Sequence, residues 1–228
     1  MHYSRIVLLL LTFALGNAGT SFCQMHLDSL LTNPYFLAGD SLQQAGHYQL
    51  AIAELETAAD HYQEAERWPD YFYTENKICE NLWRLGQYDT ARQVAQSMRT
   101  QSVRQLGAQH PVGLYNHFNI GFLHHMYGRY EEAVTSYHTG LSLASRHPTA
   151  YPLLRDDLYH AASISYLSLG QYDSAMVYCR QGLRIRSQQG KTGQAEIAKS
   201  YAQLGAVHSH LGNQDSSLCI TSGRWKRS

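Results

Sequence analysis

Asn119-Ile120-Gly121-Phe122-Leu123-His124-His125-Met126-Tyr127-Gly128-Arg129-Tyr130-Glu131-Glu132-Ala133 is the stretch on which the reading of the fold turns. Before Gly128, the residues Ile120, Phe122, Leu123, Met126 and Tyr127 recur at helical spacing. After it, Ala133, Val134, Tyr137, Leu141 and Ala144 do the same. Glycine between two such stripes supplies a left-handed backbone residue without a side-chain penalty, which is what a tight helix-to-helix turn needs. One helical hairpin is therefore predicted around Gly128.

The same pattern returns along the chain. It is seen at Gly46-His47-Tyr48 with Ala51, Gly86-Gln87-Tyr88 with Ala91, Gly128-Arg129-Tyr130 with Ala133, and Gly170-Gln171-Tyr172 with Ala175. A weaker fifth copy is Gly212-Asn213-Gln214 with Ser217, and successive glycines lie 40, 42, 42 and 42 residues apart. A fixed period of this length is the signature of a stacked repeat. Around Gly170, Leu158, Ala161, Ala162, Tyr166, Leu167 and Leu169 form one stripe, and Val177, Tyr178 and Ile185 continue it beyond the turn. Pro69, Pro111, Pro148 and Pro152 mark helix starts, where a first turn tolerates proline. Asp89, Asp173 and Asp215 follow their glycines closely, placed to cap free amides and oppose the helix dipole. The alanine of each motif falls one turn into the second helix, where a larger side chain would hold the pair apart. Stacking such hairpins buries the apolar half that each exposes alone, giving an all-α solenoid of about five repeats with the last incomplete.

The motif Asn119-Ile120-Gly121 followed by Gly128-Arg129-Tyr130-Glu131-Glu132-Ala133 resembles the tetratricopeptide repeat (TPR) family. The period is similar to that of its long, kinesin-light-chain-like bacterial variant. So is the link Leu106-Gly107-Ala108-Gln109-His110-Pro111, echoed at His147-Pro148. The resemblance covers residues 33–217, and Cys79 and Ser163 depart from it where the family usually has Gly or Ala. It implies a TPR-like superhelix whose first helices line a concave groove for a peptide or protein segment. By family offsets the groove residues are Tyr73, Asn76, Lys77, Glu80, Trp83 and Arg84 in the second copy. In the third they are Tyr115, Phe118, Asn119, Phe122, His125 and Met126, and in the fourth Asp157, His160 and Ile164. The bland alternative is that many of these only pack against neighbouring helices.

Residues 1–24 read differently. Arg5 precedes the apolar run Ile6–Leu15, and small residues follow at Gly16, Ala18 and Gly19. That run is too short to span a bilayer and suits a secretory signal peptide. Cleavage is expected after Ala18 or nearer Gln24, with an uncleaved anchor as the alternative. Phe22 before Cys23, and Thr20, do not suit lipid attachment. The expected location is thus exported, periplasmic or secreted, with no membrane span in the mature chain.

The 228 residues carry 18 basic and 18 acidic side chains, so no broad attraction to nucleic acid or anionic lipid is expected. The mature chain keeps Cys79, Cys179 and Cys219, an odd and widely spaced set that is no disulfide framework. Thirteen histidines raise the question of a metal. His117 and His124 sit two turns apart on one helix, too far to chelate one ion alone, and His208 and His210 point apart. No phosphate loop or hydrolase motif occurs. No cofactor, metal or catalytic residue is therefore expected, and the chain is read as non-catalytic.

The last copy lacks the stripe that its second helix should carry. Residues 218–228 read as an irregular tail, Leu218-Cys219-Ile220-Thr221-Ser222-Gly223-Arg224-Trp225-Lys226-Arg227-Ser228. An open last hairpin predicts self-association or fraying. The leading functional expectation is a protein-binding scaffold. The alternative is the N-terminal sensory or regulatory part of a truncated, larger exported protein, since similar bacterial arrays precede caspase-like proteases, histidine kinases or regulators.

Overall fold

Helical hairpins account for all the regular structure that a computed structural model describes, over Leu30, residues 32–148, residues 150–187 and Gly205. The leader 1–24, the motif at Gly212, His208, His210 and the tail 218–228 lie outside these residues. In order the helices are α1 (Pro34–Gln44), α2 (Tyr48–Glu64), α3 (Trp68–Arg84), α4 (Tyr88–Leu106), α5 (Gly113–Met126), α6 (Tyr130–Arg146), α7 (Pro152–Ser168) and α8 (Tyr172–Ser187). They group into two compact units, α1–α4 in the first and α5–α8 in the second. Within the first, α1 packs on α2, α2 on α3 and α3 on α4; within the second, α5 packs on α6, α6 on α7 and α7 on α8.

The turns are built as the glycine pattern demands. Gly46, Gly86, Gly128 and Gly170 have φ of +81°, +75°, +73° and +72°. Each following amide donates back to a carbonyl five residues earlier, as His47 does to Leu42 at 2.9 Å and Arg129 to His124 at 2.9 Å. That closes the helix end without a side-chain cap. Glu66 performs the same turn between α2 and α3 with φ +53°, and Arg67 donates to the Tyr62 carbonyl at 2.8 Å. The expected carboxylate caps do not form at α4. Its N-cap is Gln87, which makes no side-chain cap bond, while Asp89 sits inside the first turn 3.6 Å from Arg92. There it opposes the helix dipole without replacing the missing cap. A side-chain cap does occur at α1, where Asn33 Oδ1 accepts from the amides of Tyr35 and Phe36 at 3.0 and 3.1 Å.

The motif alanines Ala51, Ala91, Ala133 and Ala175 are fully buried. Facing them is a position that holds Gly39, Cys79, Gly121 and Ser163 in successive hairpins. Sixteen residues further on stand Leu55, Ala95, Tyr137 and Cys179. A Cβ added to Gly39 would lie 2.6 Å from Leu55 Cγ, and one added to Gly121 would lie 2.5 Å from Tyr137 Cε1. The seam therefore trades volume across the hairpin, glycine opposite a large side chain and Cys or Ser opposite a small one. Where the polar members occur they are satisfied: Cys79 Sγ donates to the Ala91 carbonyl at 3.4 Å, and Ser163 Oγ to that of Ala175 at 2.8 Å.

The stripe read on α5 needs correction. Leu123 is buried, but Met126 and Tyr127 are each 42% exposed and Ile120 and Phe122 are only half-buried. The buried set is Leu114, Tyr115, Asn116, Asn119, Gly121 and Leu123. On α8, Val177 is exposed, and the seam is Ala175, Cys179, Gly182, Ile185 and Arg186. Small residues let helices approach closely, so the seam follows size as much as hydropathy.

Candidate functional site

In the first unit the predicted residues meet partners from α1. Tyr73 lies against Phe36 with ring centroids 5.8 Å apart, and Lys77 Nζ is 2.5 Å from Asp40 Oδ1. Burial opposes the ammonium of Lys77, but Tyr73 and the Asp40 carboxylate offset it and its pKa ends above the usual value. Arg84 forms an ion pair with Glu80 at 2.7 Å and places its guanidinium over the rings of Trp83 and Tyr48, at 4.9 and 5.7 Å. Tyr73, Lys77, Glu80, Trp83 and Arg84 thus come together, with their charges paired inside the chain. Asn76 is buried at 8% exposure and belongs to the packing between helices.

In the second unit the corresponding helices are α5 and α7. Tyr115 and Asn119 are buried at 9% and 1% exposure, so they support the fold and do not face solvent. Phe118 is half-buried, its ring centroid 6.5 Å from that of Tyr137. Phe122 and His160 are also half-buried, and Met126 and Ile164 are 42% and 37% exposed. His125 Nδ1 and Ser165 Oγ are 2.9 Å apart and tie α5 to α7, and burial lowers the pKa of His125. Asp157 is half-exposed and lies 3.4 Å from Arg186 Nη2. The same guanidinium is ion-paired with Asp156, both being buried at 4% and 1% exposure.

Some of this arrangement has no signature in the chain. Ser165 and the Asp156–Arg186 pair carry no motif that singles them out. Neither does a cluster outside the predicted face, where His138 Nε2 lies 2.7 Å from the Tyr178 hydroxyl and 3.0 Å from that of Tyr166. The Tyr178 ring stacks on His138, and burial lowers the imidazole pKa.

Burial pushes the thiol pKa values of Cys79 and Cys179 up to about 12, so both stay protonated and weakly nucleophilic near neutrality. His117, His124 and His125 all lie on α5; among the described residues no group of three or more His, Cys, Asp and Glu side chains is placed to hold a metal. Among the same residues no helix is long and apolar enough to cross a membrane.

The tetratricopeptide repeat family matches residues 156–189, which span most of α7 and all of α8. No curated protein sequence matches the chain. Among solved structures, BtubC (BKLC) from P. vanneervenii superposes with a TM-score of 0.67 at 17% identity, over 90% of this chain and 86% of that one. A putative kinesin light chain from Podosopora anserina with nearly identical TPR-like repeats gives 0.61 at 16% identity, over 82% and 89%. A Rap protein complexed with competence and sporulation factor gives 0.67 at 16% identity, over 82% of this chain and 50% of that one. At such identities these likenesses speak for the fold. The matched repeat, the recurring glycine turns with their buried alanines, and the fold shared with kinesin-light-chain-like arrays show that this chain has a tetratricopeptide-repeat-like fold of helical hairpins.

Proposed function

We propose that the chain is a non-catalytic scaffold that holds a peptide or protein segment against the first helices of its hairpins. The observation that carries this reading is on α5 and α7, where Met126 and Ile164 stay exposed beside half-buried Phe122 and His160. Large apolar side chains left in water on a rigid pair of helices are stabilised by a partner that covers them. The Rap neighbour was solved with a bound factor, which gives the same fold a precedent for holding a ligand. Export is part of the proposal, resting on the leader-like run of residues 1–24.

The test is affinity capture from the source cell envelope on immobilised wild-type chain and on a Met126→Glu/Ile164→Glu variant. The reading expects a protein retained by the wild type and lost with the variant at physiological salt. Equal retention by both would refute it.

A further inference from the structure

Three side chains outside the proposed peptide face bring their polar tips to one point. His138 comes from α6, Tyr166 from the last turn of α7 and Tyr178 from the second turn of α8. The Nε2 atom of His138 lies 2.7 Å from the Tyr178 hydroxyl and 3.0 Å from that of Tyr166, and the two hydroxyls also hydrogen-bond each other. An imidazole nitrogen has a single lone pair, so hydrogen bonding alone needs only one of these hydroxyls there. His138 is exposed and the tyrosines are half-buried, so the meeting point opens to solvent.

The spacing is that of a metal-binding face. Bonds of about 2.0–2.1 Å at right angles set neighbouring ligand atoms about 2.9 Å apart, whereas a tetrahedral ion sets them about 3.3 Å apart. Separations of 2.7 and 3.0 Å, with the third edge also at hydrogen-bond length, match three corners of one octahedral face. An ion can therefore replace the shared protons with little movement of the helices. Tyr159 packs on Tyr178 at 5.8 Å between ring centroids and helps to hold that ring in place.

The donors also select the ion. Two phenols and an imidazole, with no thiolate, suit a hard or borderline cation, and tyrosine is a known ligand of ferric iron. Burial lowers the His138 pKa, so the ring is neutral near pH 7 and keeps its lone pair. Burial, then Tyr166 and Tyr159, pushes the Tyr178 phenol up to about 12, and only a strongly acidic cation displaces that proton near neutrality. Among the described residues no charged side chain contributes to either shift. Helix α5, which also packs on α6, carries no Asp, Glu, Lys or Arg, and its His117 meets Gly140.

We propose that His138, Tyr166 and Tyr178 form a site for ferric iron, with these three donors on one octahedral face and water on the other. Binding exchanges two phenolic protons for the ion and releases both to solvent. It joins α6, α7 and α8 through one point.

The experiment titrates the full chain with ferric nitrilotriacetate near pH 7.5, reading visible absorption and, after desalting, iron per chain. A phenolate on ferric iron gives a visible charge-transfer band that neither shows alone. One iron per chain with that band is expected, together with a higher Tm than the iron-free chain. Tyr166→Phe, Tyr178→Phe and His138→Gln should each weaken binding by at least about tenfold, a loss that even outer-shell partners of a metal can cause. The double variant Tyr166→Phe/Tyr178→Phe should lose the band, and His61→Gln on the exposed surface of α2 should keep it. Circular dichroism melting checks that each variant is folded; should Tyr178→Phe melt early, Tyr166→Phe and His138→Gln carry the test. No iron beyond that held by an unrelated protein, a complex without the band, or uptake unchanged in any folded single variant of the three would overturn the site.

Discussion

Gly121→Ala adds one methyl group to the third hairpin, and the structure says where it would go. The new Cβ would lie 2.5, 2.8 and 2.9 Å from three carbons of the Tyr137 ring. Carbon atoms settle at about 3.5–4.0 Å, so the ring or the helix must shift by roughly 1 Å. Tyr137 is 1% exposed and cannot swing into solvent. Overpacking of this kind costs about 1–3 kcal/mol, while replacing a mid-helix glycine by alanine returns about 0.5–1 kcal/mol. The net expectation is a loss of about 1–2 kcal/mol, a fall in Tm of roughly 2–8 °C for a chain of this size. The decisive comparison uses a Tyr137→Ala background, which removes the ring that the methyl would strike. There Gly121→Ala should stabilise, because only the helix-propensity gain remains. Thermal melts of the four proteins, in sucrose if Tyr137→Ala alone melts too early, give both signs. Destabilisation of the same size in both backgrounds would refute the pairing of positions 121 and 137.

Other expectations follow from the same geometry. Glu66 adopts the turn conformation that glycine holds elsewhere, so Glu66→Gly should stabilise by about 0.5–1 kcal/mol in chemical denaturation, and a loss would contradict the strain assigned to φ +53°. Ala133→Leu should cost about 1–3 kcal/mol by overpacking the seam, which unchanged thermal stability would disprove. Burial, then Glu56 and Asp60, raises the Glu75 pKa from 4.5 to about 7, so its contribution is intact below pH 4.5 and lost as pH rises through 7. Glu75→Gln should therefore raise Tm more at pH 8 than at pH 5, and equal gains at both would defeat the assignment. His124, His125 and His138 are shifted the opposite way, mainly by burial, so they withdraw stability from the second unit as pH falls below 6.5. Hydrogen exchange at pH 7 and pH 5 should show α5–α7 loosening more than α1–α3, and uniform behaviour would argue against it.

The repeat itself was legible because turn chemistry is local. Gly128 needs a left-handed residue, Ala133 needs smallness, and both demands are visible within six residues. The volume trade between Gly121 and Tyr137 was not legible, since it appears only once the hairpin brings residues sixteen apart into contact. Hydropathy misled on α5 for a related reason: Asn116 and Asn119 are buried while Met126 is exposed. Family offsets placed Lys77, Arg84, Met126 and Ile164 on half-buried or exposed positions but also named Asn76, Tyr115 and Asn119, which pack inside. The contact between Asp157 and Arg186 joins residues nearly thirty apart, and no spacing rule announces that pair.

The account turns on the first helices of the second unit being the surface that receives a ligand. Hydrogen–deuterium exchange of the full chain, with and without a peptide selected on it, reads that surface directly. Slower exchange in residues 113–126 and 152–168, with α6 and α8 unchanged, is the predicted result. Protection confined to α6 and α8, or to the Tyr166–Tyr178 cluster, would contradict it.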